Sequence, residues 1–245
     1  MVRGIDKESR SRDVLSALIE SYIKSSSAVS SEELSRSFDC SSATIRNVLT
    51  DLEGLGYLTH THTSSGRIPT DKGYRYYVDM LLSQMQLLEA EKTRITKEYH
   101  QQLHKLEDIL ERASEVLSAF TRCTGIVSFS DQENKIYYAG ASFIPEYPEL
   151  KSFEKIHNIL KMLDEKKILL EILNRDLKEK IKVYIGHELA CQEIASCSII
   201  VSTYDVEDKP YGRIAVLGPR SMNYGQVIPT IEYISELMSK ALESL

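Results

Sequence analysis

Between residues 41 and 75 a helical signal runs straight into a strand signal, and few folds accept that order at so short a spacing. Ile45, Val48, Leu49, Leu52 and Leu55 recur at the helical period, so they form one buried stripe on a helix over 43–55. Ser41 or Ser42 offers the hydroxyl that caps its first turn, and Gly56 suits the left-handed position that closes it. Residues 57–63 then run as a strand, Ser64-Ser65-Gly66 turns, and Arg67-Ile68 starts the return before Pro69 ends it. Thr70-Asp71-Lys72-Gly73 opens a further helix carrying Tyr74, Tyr77, Val78, Leu81 and Leu82.

The residues upstream complete the pattern. Val14, Leu15, Leu18, Ile19, Tyr22 and Ile23 predict an amphipathic helix near 9–24, ended by Ser25-Ser26-Ser27. Ser30, with Glu33 three residues on, reads as a capping box. Leu34 and Phe38 give a short second helix its apolar side, and Asp39-Cys40-Ser41 is a turn. Helix, helix, three-residue turn, helix and hairpin is the plan of a winged helix-turn-helix, and it takes residues 1–80.

Two further zones follow. Residues 81–120 contain neither Gly nor Pro, and their apolar positions at Tyr99, Leu103, Leu106, Leu110, Ala113, Leu117 and Phe120 alternate four and three apart. That is a heptad seam on a long helix. It packs either on the next domain of its own chain or on a second copy as a coiled coil. In the second case Tyr99, Leu103, Leu106, Leu110, Leu117 and Phe120 are the dimerisation residues. Residues 121–245 alternate strands and helices: strands at 125–130 and 135–142, a helix over 151–174 marked by Phe153, Ile156, Ile159, Leu160, Leu163 and Leu170, and a half-buried strand through Ile181, Val183 and Ile185. A hairpin of 197–204 with 212–217 and a closing helix from Val227 to Ala241 complete an antiparallel-leaning α+β domain.

Composition narrows the function. The chain has 245 residues, of which 42 % are apolar and 27 % charged, ordinary for a soluble globular protein. No apolar run nears the roughly 18 residues of a membrane span, and the first residues hold no apolar stretch of a secretory signal, so a cytoplasmic protein is expected. Four cysteines at 40, 123, 191 and 197 form no CxxC pair, which fits reduced thiols. The net charge of −6 by itself argues against a nucleic-acid partner. Residues 1–80 hold 10 Lys and Arg against 11 Asp and Glu, so any contact with nucleic acid rests on a few placed cations.

Those cations have a place. With Ile45, Val48, Leu49 and Leu52 turned inward, the helix at 43–55 leaves Thr44, Arg46, Asn47 and Thr50 outward, with Ser41 and Ser42 at its start. An Arg pairs with guanine O6/N7 and an Asn with adenine in a major groove, while serine hydroxyls and terminal amides suit phosphate. Arg67 at the wing tip, and Lys72 and Arg75 beyond it, are candidate backbone contacts; ordinary surface charge is the plain alternative. His60 and His62 share a strand face, yet a zinc site wants two more ligands and only Cys40 is near in sequence. His187 and Cys191 lack an orienting carboxylate or oxyanion site. Gly186, Gly212 and Gly218 are turn glycines. The residues therefore predict no enzyme, no metal and no cofactor.

Ser42-Ala43-Thr44-Ile45-Arg46-Asn47, Asp51-Leu52-Glu53, Leu55-Gly56-Tyr57-Leu58 and His62-Thr63-Ser64-Ser65-Gly66-Arg67-Ile68-Pro69-Thr70-Asp71-Lys72-Gly73-Tyr74-Arg75 resemble the HrcA family of heat-inducible transcription repressors. So do Ala139-Gly140-Ala141-Ser142, Val183-Tyr184-Ile185-Gly186 and Gly218-Pro219-Arg220-Ser221-Met222-Asn223-Tyr224. The resemblance implies a winged helix followed by a GAF-like domain. It implies a dimer on an inverted-repeat operator of CIRCE type ahead of chaperone genes, a chaperonin that promotes the active repressor, and release on heat stress. Three departures stand out. A long segment with an inserted dimerisation domain in that family is reduced here to Asp131–Tyr137, so its dimer interface does not carry over. Val48 replaces a frequent acid, and Gly54 lies inside the recognition helix, costing up to about 1 kcal/mol. The rival function is a winged-helix regulator controlled by a small ligand in the GAF-like domain; another is a protein-binding scaffold dominated by the long helix.

Overall fold

The computed structural model describes residues 2–60, 66–82, 89–99, 106–129, 135–175, 180–207 and 209–244. They fall into two compact units, 1–83 and 84–245.

In the first unit, α1 (Val2–Ser25), α2 (Ser31–Ser35) and α3 (Ser42–Gly54) precede the strands β1 (Leu58–His60) and β2 (Arg67–Pro69), and α4 (Asp71–Leu82) follows. Val14, Leu15, Leu18 and Ile19 of α1 are buried against Ile45 and Leu49 of α3 and Tyr74 and Val78 of α4. Ser30 caps α2 by accepting from the Glu33 amide, and Ser41 caps α3 by accepting from the Thr44 amide. The expected buried stripe loses its last member. α3 ends at Gly54, Gly56 takes φ +80°, and Leu55 at the turn is left 59 % exposed. Pro69 is the last residue of β2, opposite Leu58, so the strand ends where a proline was expected to break it. Behind β2, Arg67 exchanges both backbone hydrogen bonds with Val29, at 2.9 and 3.0 Å. A Cβ on Gly66 would lie 2.8 Å from the Ala28 backbone, so only glycine lets the strand come this close.

The second unit is built on five antiparallel strands: β3 (Thr124–Phe129), β4 (Ile136–Ala139), β5 (Ile181–Ile185), β6 (Cys197–Val206) and β7 (Lys209–Pro219), in the order β4-β3-β7-β6-β5. Both faces are covered. Ile126, Tyr184, Ile199, Val201, Ala215 and Leu217 point to one side, where α7 (Phe153–Glu165), α8 (Lys167–Leu173) and short 3₁₀ turns close the core. Their alternates Val127, Val183, Ile200, Ile214 and Val216 are buried on the other side, under α6 (Leu106–Thr121) and α9 (Tyr224–Glu243). This three-layer α+β arrangement is the one the GAF-like expectation requires. The helix expected over 151–174 is two, because Lys166 adopts φ +58° and turns the chain. The β6–β7 hairpin is longer than its alternation suggested and takes in Lys209 and Pro210.

The middle zone belongs to this second unit. Its described helices are α5 (Glu89–Tyr99) and α6, and α5 packs on α6 and α9, with Thr96 and Tyr233 sharing a 2.7 Å hydrogen bond. Leu110 and Leu117 are 1 % and 0 % exposed beneath β3 and α9, so their apolar faces are spent within the chain. At these residues the coiled-coil reading is corrected: side chains already sealed by their own sheet have no face for a second copy. Leu106 and Phe120 are half-buried. Leu103 and the side chain of Tyr99 lie outside the described residues.

Candidate nucleic-acid interface

The second helix of the helix-turn-helix, α3, presents Arg46, Asn47 and Thr50 outward, while Ile45, Val48, Leu49 and Leu52 anchor it from behind. The neighbouring hydroxyls are engaged in the helix itself. Ser41 Oγ accepts the Thr44 amide at 3.2 Å and lies 2.9 Å from Thr44 Oγ1. Thr50 Oγ1 donates to the Arg46 carbonyl at 2.9 Å. Ser42 is half-buried in the first turn. Arg46 and Asn47 are thus the exposed adjacent pair, on a scaffold whose cap sets where the helix begins.

The three expected backbone cations are placed differently from expectation. Arg67 stands at the first position of β2, opposite His60 in the pair nearest the turn, and its Nε donates to Glu53 Oε2 at 2.8 Å. The other oxygen of Glu53 meets His60 Nδ1, on β1. The hydrogen bond from His60 is the largest influence and holds the Glu53 carboxyl below its ordinary value of 4.5; burial opposes it, and the charge and hydrogen bond of Arg67 then add to the lowering. Lys72 Nζ donates to the Leu55 carbonyl at 2.7 Å, at the C-terminal end of α3, and lies 4.6 Å from the centre of the Tyr57 ring. Arg75 pairs with Asp79 one turn on. All three are engaged by groups of this unit in the free protein. Glu53 is the residue that sequence reasoning missed: it lies 7 and 14 positions from its partners, and no spacing rule joins them. His62 and the segment 61–65 lie outside the described residues.

In the second unit a polar cleft of about 590 Å³ opens beside the start of α7, bordered by Lys155, His187, Glu193 and Arg220. Lys155 Nζ already donates to the Glu149 carbonyl at 2.7 Å, and the lining mixes acids and bases. Cys191 Sγ donates to Glu193 Oε2 at 3.1 Å, and burial, with the Glu193 carboxylate after it, pushes the thiol up, the opposite of an activated nucleophile.

Residues 8–81 match the family model described as the winged helix-turn-helix transcription repressor, HrcA DNA-binding, and residues 128–228 match the model of the HrcA protein C terminal domain. The chain belongs to the HrcA family. Among curated relatives named heat-inducible transcription repressor HrcA, that of Bacillus pumilus is 26 % identical, covering 95 % of this chain and 97 % of the relative. That of Desulforamulus reducens is 27 % identical, covering 97 % and 98 %. The first alignment runs over 333 positions, far more than the 245 residues here, so the HrcA of Bacillus pumilus carries a long stretch without counterpart in this chain. The crystal structure of a hypothetical protein superposes with a TM-score of 0.82 at 20 % identity, covering 96 % of this chain and 98 % of that one, which establishes a shared fold.

Proposed function

We propose that this HrcA-family protein represses transcription of heat-shock chaperone genes by occupying an inverted-repeat operator of CIRCE type as a dimer, and that heat stress releases it. Arg46 and Asn47, exposed side by side on the outward face of a capped recognition helix, carry the reading. A guanidinium and a carboxamide are the two groups that read guanine and adenine edges in pairs of hydrogen bonds. Ser41, Ser42, Thr44 and Thr50 flank them as hydroxyl contacts once the complex forms.

Two copies would place their α3 helices in successive major grooves, roughly 34–36 Å apart or a multiple of that. Repression follows from occupancy of promoter DNA. The partners are duplex DNA, a second copy of the chain and a chaperonin that promotes the active form, in the cytoplasm. The chain is not proposed to be an enzyme: the role needs only binding. No helix among the described residues is long and apolar enough to cross a membrane.

Selection of bound duplexes from a random pool tests this. The expected consensus is an inverted repeat with G and A positions in each half-site. Recovery of a single asymmetric site, or of no consensus, would overturn the proposal.

A further inference from the structure

Among the described residues, one carboxylate reaches from the recognition helix to both strands of the wing. Glu53, the penultimate residue of α3, engages His60 with Oε1 and Arg67 with Oε2. His60 and Arg67 face each other across the hairpin in β-register, one on each strand. The backbone of Arg67 is also tied to Val29, so this end of the ladder is held on two sides. Arg67 and Glu53 are only 20 % and 23 % exposed at their side chains, and their charges cancel close to the surface that must approach phosphate. Arg67 and Arg46 border one groove between the start of α2 and α3, so a cation let go by Glu53 would already be on the DNA-facing side.

We propose that Glu53 is a positioning residue for operator recognition: it sets the wing on α3 and withholds Arg67 from the phosphates, which favours the operator over random DNA. This rests on the DNA-binding reading above. An unrestrained Arg attracts any phosphate equally and adds affinity without sequence information. A braced one adds none, while the wing it holds keeps a fixed orientation to the reading helix.

The test uses the full chain, the duplex recovered by selection and a random duplex of equal length, with binding measured across a salt series. Glu53→Gln keeps the shape and removes the charge. It is expected to lower the ratio of operator to random affinity about fivefold, the scale of one partly exposed ion pair. It should also steepen the log–log salt slope on random DNA by about 0.9, one extra phosphate. Arg67→Ala alone should leave the wild-type slope unchanged, and adding it to Glu53→Gln should return the steeper slope to the wild-type value. A merely structural role for Glu53 moves none of these slopes. An Arg67→Ala variant whose slope falls by about one phosphate, or a Glu53→Gln variant with an unchanged ratio, overturns the proposal while the DNA-binding reading stands. Should Glu53→Gln fail to fold, Arg67→Ala decides alone. Wild-type protein without preference for any selected duplex overturns both.

Discussion

Arg46 and Asn47 occupy neighbouring positions on an outward helix face, about 100° apart around the axis. They would therefore address different base pairs. Arg46→Ala and Asn47→Ala are each expected to cost about 1–3 kcal/mol at the base pair they read and little elsewhere. Titration of operators substituted one position at a time checks this: a variant that loses the same affinity on every sequence is a phosphate contact instead. These two residues were legible because the apolar stripe behind them was legible. The partners of Arg67 and Lys72 were not, since a cation's partner 14 or 17 residues away depends on how the chain turns back, whereas Arg75 and Asp79 stand at the helical spacing of four. Glu53 also carries a pH signature. Its folded-state pKa lies below the ordinary 4.5, so the contribution is complete above that value and lost as the pH falls through the lowered one. Urea midpoints of the first unit should fall from about pH 5 downward, and less steeply in Glu53→Gln than in wild type. Parallel curves for the two would mean that the brace adds nothing to folding.

At the scale of the element, periodicity identifies an apolar face but not what covers it. The stripe at Leu110, Ala113 and Leu117 was visible in the sequence, yet over three heptads a coiled-coil seam and a helix lying on its own sheet differ too little to separate. The fold decides for the sheet. Leu117→Ala is accordingly expected to cost about 2–5 kcal/mol of stability in the second unit, with the mass in solution unchanged by light scattering. A shift in mass without loss of stability would restore the intermolecular seam. The break at Lys166 stayed hidden for a different reason: a left-handed lysine carries no compositional mark, unlike Gly56, whose turn was expected and found.

For the whole molecule, the net charge of −6 limits what electrostatics can contribute. With Arg67 and Arg75 paired to acids and Lys72 to a carbonyl, the salt dependence of wild-type operator binding should correspond to only a few phosphates per chain. A log–log slope near −10 would show that cations now engaged in the fold are redeployed on the duplex. The same titrations, run at stoichiometric concentration, should give two chains per inverted repeat. A last consequence comes from the layer between α9 and β6. Tyr224 pairs with Ser198 at 2.8 Å, Ser235 with Ser202 at 3.3 Å, and Ser239 takes the Asp205 amide at 3.0 Å. Three polar teeth spaced along one greasy seam work like the notches of a key. An oily contact alone tolerates a slip of one helical turn, but here such a slip would strand every tooth at once. Warming should thus leave α9 seated until the whole layer gives way together, which makes its loss abrupt with temperature rather than gradual.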